Sequence, residues 1–379
     1  MPTVLRIGVQ GDSYVAQRLL GDIPSPGVEL IPTRGPMALL NLLNRTVLGH
    51  HHATTFTNNF HWDPGLPSRH LFHFVNTIGS TPTPWIASFE HYMPRWDPHS
   101  RFGMRLLAGP RCRRLLALST YARAAQERLL SPWNELGGVI AGKLDVLHPP
   151  QPLLIRSLDE KALAAGVVRC VFVGRDFFRK GGREVVDAVG RLIGEGRKIE
   201  LDIVSSLDVG DYATQSTPQD RADVEGKIKA MGSWVRLHGE VPNHGVLALL
   251  RDAHVALLPT YDDTYGFSVL EAQACGTPVI TTNVCALEEI NTDAVGWVIR
   301  LPKDEWGQAA GIKSGGTAEI SRAIHTGVYE HLRSIADDPA TVRTRAVACL
   351  DRIQADHDPG RYASHVRSIY AEIAGITPP

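Results

Sequence analysis

The chain has 379 residues, of which 43% are hydrophobic and 21% charged, and a formal net charge of −1 at pH 7. That composition excludes a largely disordered protein, and at roughly 150 residues per domain the length points to two globular domains. Near-neutral charge excludes a general nucleic-acid binder, which carries a basic excess to neutralise phosphates.

Residues 4–10 (VLRIGVQ) predict a short buried strand, followed by Gly11-Asp12-Ser13. The apolar run at the N-terminus is too short for a secretory signal, and no stretch reaches the about 18 apolar residues that cross a bilayer. Cys112, Cys170, Cys275, Cys285 and Cys349 are odd in number, widely spread and without a Cys-x-x-Cys pair, a usage that fits a reducing cytosol. The expected location is therefore cytoplasmic, either soluble or peripheral to a membrane.

The segment 50–64 (HHHATTFTNNFHWDP) shows no period and predicts an irregular connection. Its triplet His50-His51-His52 suggests a metal site, but consecutive residues point in different directions, whereas zinc ligands are spaced apart, so a polar loop is expected and no metal. Apolar bursts at 71–78, 85–89 and 115–118 alternate with polar or helical stretches, the rhythm of an α/β fold. Arg101, Arg105, Arg111, Arg113 and Arg114 form a basic cluster among Leu and Phe neighbours, either a solvated face or a contact with an anionic membrane. In 111–130 a strand-like LLALS runs into Ser119 and Thr120 at an N-cap position and then a helix. Pro149, Pro150 and Pro152 forbid regular helix, so the domain linker is placed in 144–154.

From 170 the alternation restarts. CVFVG predicts a strand, KGGREVVDAVGRLIGEG a helix and IELDIVS a strand. WVRLHG, a helix at 244–252, VALLP, a helix from about 266 and PVITT follow. Strands alternating with helices of roughly 10–15 residues imply βαβ units and a parallel, Rossmann-like sheet. The polar, Gly-rich 303–316 predicts a surface loop, and 340–375 a helical tail broken at Asp358-Pro359-Gly360. The expected organisation is a first domain over 1–155, a second over 156–345, and a tail over 346–379 packing back on the first.

Two elements in the second half carry chemistry. In GRDFFRKGG (174–182) a strand ends at Gly174, Arg175 follows at once, and Lys180 precedes a glycine pair and a helix. Two cations on a glycine loop at the carboxyl end of a parallel strand suit a diphosphate, although solvated surface cations give the same pattern. In PTYDDTYGFSVLEAQACGTPVITTNVCALEEI (259–290) an acidic loop leads into a helix near Gly266, with Asp263 in the loop and Glu271 in the helix's first two turns. A helix start offers unpaired N–H groups to phosphate, and a carboxylate further in can hold ribose hydroxyls. Asp263 is also an ordinary residue for capping such a turn.

The second run, D-T-Y-G-F-S-V-L-E-A-Q-A-C-G-T-P-V, resembles the Glu-x7-Glu motif of the retaining glycosyltransferases of family 4, whose usual form is close to E-x-F-G-x-x-x-L-E-A-x-A-x-G-x-P-V. Gly174-Arg175-x4-Lys180-Gly181 is similar to that family's G-R-x4-K-G element, and WVRLHGEV (234–241) to the strand before its base-binding loop. The resemblance implies the GT-B fold, an α/β architecture of two facing Rossmann-like domains with a deep cleft between them. It implies that the first domain binds an acceptor and the second a nucleotide-sugar donor. Arg175, Lys180, Gly239, Gly266, Phe267, Ser268 and Glu271 would bind the nucleotide, Arg175 and Lys180 at the diphosphate and Glu271 at the ribose. Asp263, Thr264, Tyr265 and Gly266 would face the sugar. Asp263 stands where the family has its first glutamate and is one methylene shorter.

In the first half, FHFVNTIG (72–79) and PWIASFEHYMP (84–94) resemble the family's N-terminal strand pair, which makes His91 a candidate to assist the reaction. A strand-end histidine is as readily structural. Gly11-Asp12-Ser13 is a reduced form of the family's glycine-rich loop. The implied catalytic set is His91, Asp263, Arg175 and Lys180, moving a sugar to an acceptor hydroxyl with retention, with no cofactor and no metal required. The acceptor would be a glycan, a lipid-linked or a small-molecule hydroxyl, the basic cluster at 101–114 offering a peripheral membrane contact. Alternatives are a nucleotide-sugar epimerase and a catalytically idle nucleotide-sugar-binding subunit. A dinucleotide oxidoreductase would need G-x-G-x-x-G between strand and helix, which neither domain start has.

Overall fold

The computed structural model describes residues 4–9, 13–21, 23–24, 26–33, 56, 59–62, 69–161, 166–210, 212–312 and 315–376. Gly11, Asp12 and the triplet His50-His51-His52 lie outside them. The chain divides into two compact units: Met1–Pro150 with His357–Pro379 form unit 1, and Gln151–Asp356 form unit 2.

Short strands that are apolar along their whole length need cover on both faces, which a parallel sheet flanked by helices supplies. Unit 1 is built that way, from β1 (Leu5–Val9), β2 (Val28–Pro32), β4 (Leu71–Val75), β6 (Trp85–Phe89), β7 (Cys112–Ala117) and β8 (Leu144–Val146) in the order β2-β1-β4-β6-β7-β8. Every pairing in it is parallel, and β3 (Phe60–Trp62) pairs separately with β5 (Ile78–Ser80). All residues of β4 and β6 are buried, and Phe72, Phe74, Trp85 and Phe89 anchor the core with Met104 and Leu107. The last two lie on α2 (Arg101–Ala108), and α1 (Tyr14–Leu20) follows β1. Ser119 caps α3 (Thr120–Leu130), its side chain accepting from Ala122 N at 3.0 Å, and α4 (Asn134–Ala141) follows. The arginines of the basic cluster are spread over α2, the turn after it and β7, and Arg114 is spent on Glu372 at 3.1 Å.

Unit 2 holds β9 (Val168–Val173), β10 (Ile199–Val204), β11 (Val235–Leu237), β12 (Val255–Leu258), β13 (Val279–Thr282) and β14 (Trp297–Ile299) in the order β11-β10-β9-β12-β13-β14. This is the doubly wound order in which the chain starts mid-sheet, grows to one edge and then returns to build the other. Its helices are α5 (Gly182–Gly194), α6 (Pro218–Ala230), α7 (Asn243–Asp252), α8 (Phe267–Ala274), α9 (Leu287–Ile290), α10 (Thr317–Asp337) and α11 (Ala340–Asp356). Val185, Val186, Val189 and Leu192 form the buried stripe of α5, spaced as a helix face requires. The order reverses between β9 and β12, and both loops singled out in the sequence leave those two strands at their carboxyl ends.

The tail divides at Asp356. α11 packs on α8 and belongs to unit 2, whereas α12 (Pro359–Ala374), capped by Asp358, joins unit 1 against β1 and β4. A buried polar chain holds α12 there: Tyr370 Oη lies 2.6 Å from His73 Nδ1, and His73 Nε2 lies 2.8 Å from Ser88 Oγ. Complete burial pulls His73 down to about 3, so the imidazole is neutral. The five cysteines are free and buried, and among the described residues no helix is long and apolar enough to cross a membrane.

Candidate functional site

The loop after β9 is anchored from below by two aromatics, Phe177 and Phe178, buried against each other and, for Phe177, against Phe172 of the strand. With those rings down, the polar residues flanking them, Arg175 and Asp176 before and Arg179 and Lys180 after, stay nearer the surface. A Cβ on Gly174 would stand 2.5 Å from Lys180 Cδ, so glycine there is what lets the lysine stem lie across the strand end. Gly181 caps α5 with φ +78°, and a Cβ on it would come within 2.2 Å of the Pro259 carbonyl oxygen. Gly181 thus lets the loop after β9 lie against the end of β12.

The loop 259–266 is fixed from several directions. Tyr261 N donates to Arg179 O at 2.9 Å, and Tyr261 Oη donates at 2.7 Å to Glu184 Oε1 on the first turn of α5. The same carboxylate oxygen accepts from Ser321 Oγ of α10 at 2.6 Å. Asp262 is buried, its Oδ2 accepting from Tyr212 Oη at 2.7 Å and its Oδ1 from Cys285 Sγ at 3.3 Å. Arg179 bridges the two loops, donating to the Asp262 carbonyl and to the Asp176 carboxylate. Burial alone would push the Asp176 carboxyl up, but the Arg179 hydrogen bond and charge, aided by Lys180 and Arg175, hold it below the usual carboxylate range. Burial and the Asp262 charge push the Tyr212 phenol up, which keeps its proton on the donor.

Within that scaffold the sequence-derived residues take their places. Lys180 Nζ lies 3.5 Å from Asp263 Oδ2, with the two side chains only 18% and 14% exposed. Asp263 Oδ2 is itself buried and accepts no hydrogen bond. Arg175 is exposed on the loop between β9 and α5. Gly266 caps α8, Phe267 and Ser268 open it, and Glu271 is buried in its second turn. Asp263 and Thr264 line a cavity of about 480 Å³ together with Asp176, Arg179, Tyr212 and Asp262, while Tyr265 is buried beside Phe267. Gly239, at φ +67°, turns the chain just after β11, where His238 Nε2 meets Asp202 Oδ1 at 2.6 Å and Arg236 holds the same carboxylate at 2.8 and 2.9 Å. Among the described residues no group of three or more His, Cys, Asp or Glu is arranged to hold a metal ion.

His91 belongs to unit 1, just past the carboxyl end of β6. Its Nε2 lies 2.8 Å from Tyr121 Oη. The preceding Glu90 is buried and exchanges bonds with Asn76 at the end of β4, Asn76 Nδ2 donating at 2.7 Å and Glu90 N donating back to Asn76 Oδ1 at 3.1 Å. Arg179, Tyr212, Asp262 and Glu184 are site residues that no sequence motif singles out. Only Arg179 had a local signal, as a further cation inside the G-R-x4-K-G element.

Residues 167–313, which include both loops, match the family described as Glycosyl transferases group 1. Unit 2 thus contains a stretch similar to that family. Among similar proteins are the glycogen synthase of Mycobacterium tuberculosis, 28% identical over 54% of this chain and 42% of its own length. The D-inositol 3-phosphate glycosyltransferase of Arthrobacter is 29% identical over 59% of this chain and 50% of its own length. The chain thus spans about half the length of these curated relatives. Among solved structures, HepE of Anabaena in complex with UDP and glucose superposes with a TM-score of 0.58 at 14% identity, covering 97% of this chain and all 100% of that one. Sucrose-phosphate synthase of Thermosynechococcus elongatus gives 0.60 at 18% identity, covering 98% and 99%. The two parallel Rossmann-like units therefore make up a GT-B fold, and the paired loops sit at the switch point of the sheet in unit 2.

Proposed function

We propose that the chain transfers a sugar from a nucleoside diphosphate sugar to an acceptor hydroxyl, with retention at the anomeric carbon and without a required metal. One observation carries this reading: at the switch point of the sheet in unit 2, a lysine ammonium and a buried carboxylate oxygen that accepts no hydrogen bond stand 3.5 Å apart. The ammonium suits a phosphate and the oxygen needs a donor, which a sugar hydroxyl supplies. A diphosphate sugar presents both groups on adjacent atoms.

In the reaction the bond between the anomeric carbon and the phosphate oxygen breaks, and the acceptor oxygen bonds to that carbon from the same face. The acceptor proton passes to the departing phosphate. Negative charge grows on the diphosphate, and Arg175, Lys180 and the start of α8 at Gly266, Phe267 and Ser268 stabilise it as preorganised positive groups. Glu271 holds the ribose, Asp263 and Thr264 orient the sugar, and His91 assists from unit 1. UDP and glucose, which HepE is described as binding, are the first ligands to try. The acceptor is a glycan, a lipid-linked or a small-molecule hydroxyl, and the exposed arginines of 101–113 would serve a cytoplasmic enzyme working at a membrane face.

The test is calorimetric titration of UDP, GDP and their sugar conjugates, repeated with Lys180→Ala and Glu271→Ala. Binding to the native protein with loss of affinity in both variants is expected. Indifference to every nucleotide, or equal affinity in both variants, refutes the donor site. Binding without sugar transfer to any acceptor refutes the transferase reading and leaves a nucleotide-sugar-binding subunit.

A further inference from the structure

A second cavity, of about 820 Å³, opens in unit 2 at the other ends of the strands, where β9 and β12 begin and where Lys198 leads into β10. That volume falls within the roughly 300–1,000 Å³ of small-molecule sites. Its floor is aliphatic: Val168 of β9, Ile335 near the end of α10, and Val342 and Ala346 of α11. Its rim is cationic, with Arg197, Lys198 and Arg343 against a single lining carboxylate, Asp159. Arg197 is ion-paired to Asp337, whereas Lys198 and Arg343 are exposed.

The inner wall adds one donor and one buried charge. Lys161 is buried there, and its ammonium donates to the Cys275 carbonyl at 3.0 Å, to Thr277 Oγ1 at 2.5 Å and to the Leu250 carbonyl at 3.5 Å, all neutral partners. Burial pulls this lysine down to about 8, the mark of a charge held without a full counter-charge. His254 Nδ1 accepts the Arg169 backbone N–H at 3.0 Å, which places the proton of the neutral ring on Nε2, the opposite edge. Burial and the neighbouring Lys161 and Arg169 charges keep that ring neutral. An apolar floor, a cationic rim and a buried ammonium behind the wall are complementary to one kind of molecule.

We infer that this cavity is a second ligand site, separate from the nucleotide site, for an amphipathic organic anion: an aliphatic body seated on the floor, with a phosphate or carboxylate at the rim beside Lys198 and Arg343. The probe is octyl phosphate, titrated by calorimetry below the concentration at which it forms micelles. Inorganic phosphate, which lacks the body, serves as the reference. One site per chain is expected, at least tenfold tighter for octyl phosphate than for inorganic phosphate. Lys198→Glu and Arg343→Glu, both changes at exposed positions, should each weaken it at least tenfold with an unchanged Tm. Lys180→Ala and saturating UDP should leave it untouched, so that failure here is distinguishable from failure of the donor site. Absence of binding, equal binding in both charge-reversed variants, or displacement by UDP overturns the inference. Phosphatidic acid vesicles that bind the chain in competition with octyl phosphate would identify a lipid as the source of the anion. Saturable octyl phosphate binding without vesicle binding would identify a free amphiphile.

Discussion

Replacing Asp263 by asparagine should move nucleotide and sugar affinity in opposite directions. Lys180 Nζ and Asp263 Oδ2 are 3.5 Å apart. Two unit charges at that distance attract by about 1 kcal/mol in a water-like medium and about 5 kcal/mol at an effective dielectric of 20. The pair is mostly buried but still meets solvent, so about 1–2 kcal/mol is the expected net effect. A diphosphate arriving at Lys180 must work against that attraction and against the carboxylate's own repulsion. Asp263→Asn removes both, so UDP alone should bind about 5- to 30-fold more tightly, each 1.36 kcal/mol being a factor of ten. A hydrogen bond from a sugar hydroxyl to a charged carboxylate contributes about 1.5–3 kcal/mol, and the amide loses most of it. The advantage of UDP-glucose over UDP should therefore shrink by about tenfold or more. Calorimetry of both ligands against both proteins at one ionic strength reads the two effects separately. If UDP binds Asp263→Asn no better than the native chain, the ammonium is not shared between carboxylate and phosphate, and the reasoning fails.

Gly174→Ala puts a methyl 2.5 Å from Lys180 Cδ, so UDP affinity should fall by about tenfold while Tm drops only modestly, the displaced atom being on a flexible stem. Tyr261→Phe leaves buried Glu184 with one fewer donor and should cost about 1–2 kcal/mol in denaturant unfolding, whereas full retention of stability would show that the contact is idle. His73 has a folded-state value near 3 against 6.5 for the free side chain, so its contribution is complete above about pH 6.5 and declines as pH falls toward 3. At pH 4.5 the expected loss from this residue is about 3 kcal/mol; His73→Gln should remove that part of the pH slope, and an unchanged slope counts against the burial argument. For His91→Ala, turnover should fall far more than UDP affinity, and equal losses in both would reduce His91 to a structural partner of Tyr121.

The second half of the fold was legible because parallel strands covered on both faces are written as short apolar runs cut off by Gly or Pro. CVFVG, VALLP and PVITT became β9, β12 and β13 within a residue or two. Ser119 was legible as a cap because its role is local. Thr217 carried an equally local signal, a capping box with Asp220, and it starts a helix that the reading omitted. The long helix α10 was also passed over, although Ile320, Ile324, Val328, Leu332 and Ile335 recur at helical spacing along its buried face. What the sequence could not show is the set of side chains that meet only through the fold. Tyr212 reaches Asp262 across 50 residues, Tyr261 reaches Glu184 across 77, and Arg179 reaches the Asp262 carbonyl across 83. No periodicity encodes such pairs, and each partner alone reads as a solvated polar residue.

Those long-range pairs bear on a departure from the motif, Asp263 in place of its first glutamate. An aspartate reaches about 1.5 Å less far than a glutamate, so on a loop of freely variable shape the loss would be absorbed by backbone movement. This loop has little such freedom: its backbone is bound to Arg179, its Tyr261 hydroxyl to α5, and its Asp262 carboxylate to Tyr212 and Cys285. The position of Asp263 is thus set by the two residues before it, and its carboxylate lies close to Lys180. The space a longer side chain would fill becomes part of the cavity shared with Tyr212, Asp176 and Thr264. Under the proposed function, recognition of the sugar would fall on that wall as much as on the acid, and Tyr212 would take part in donor choice.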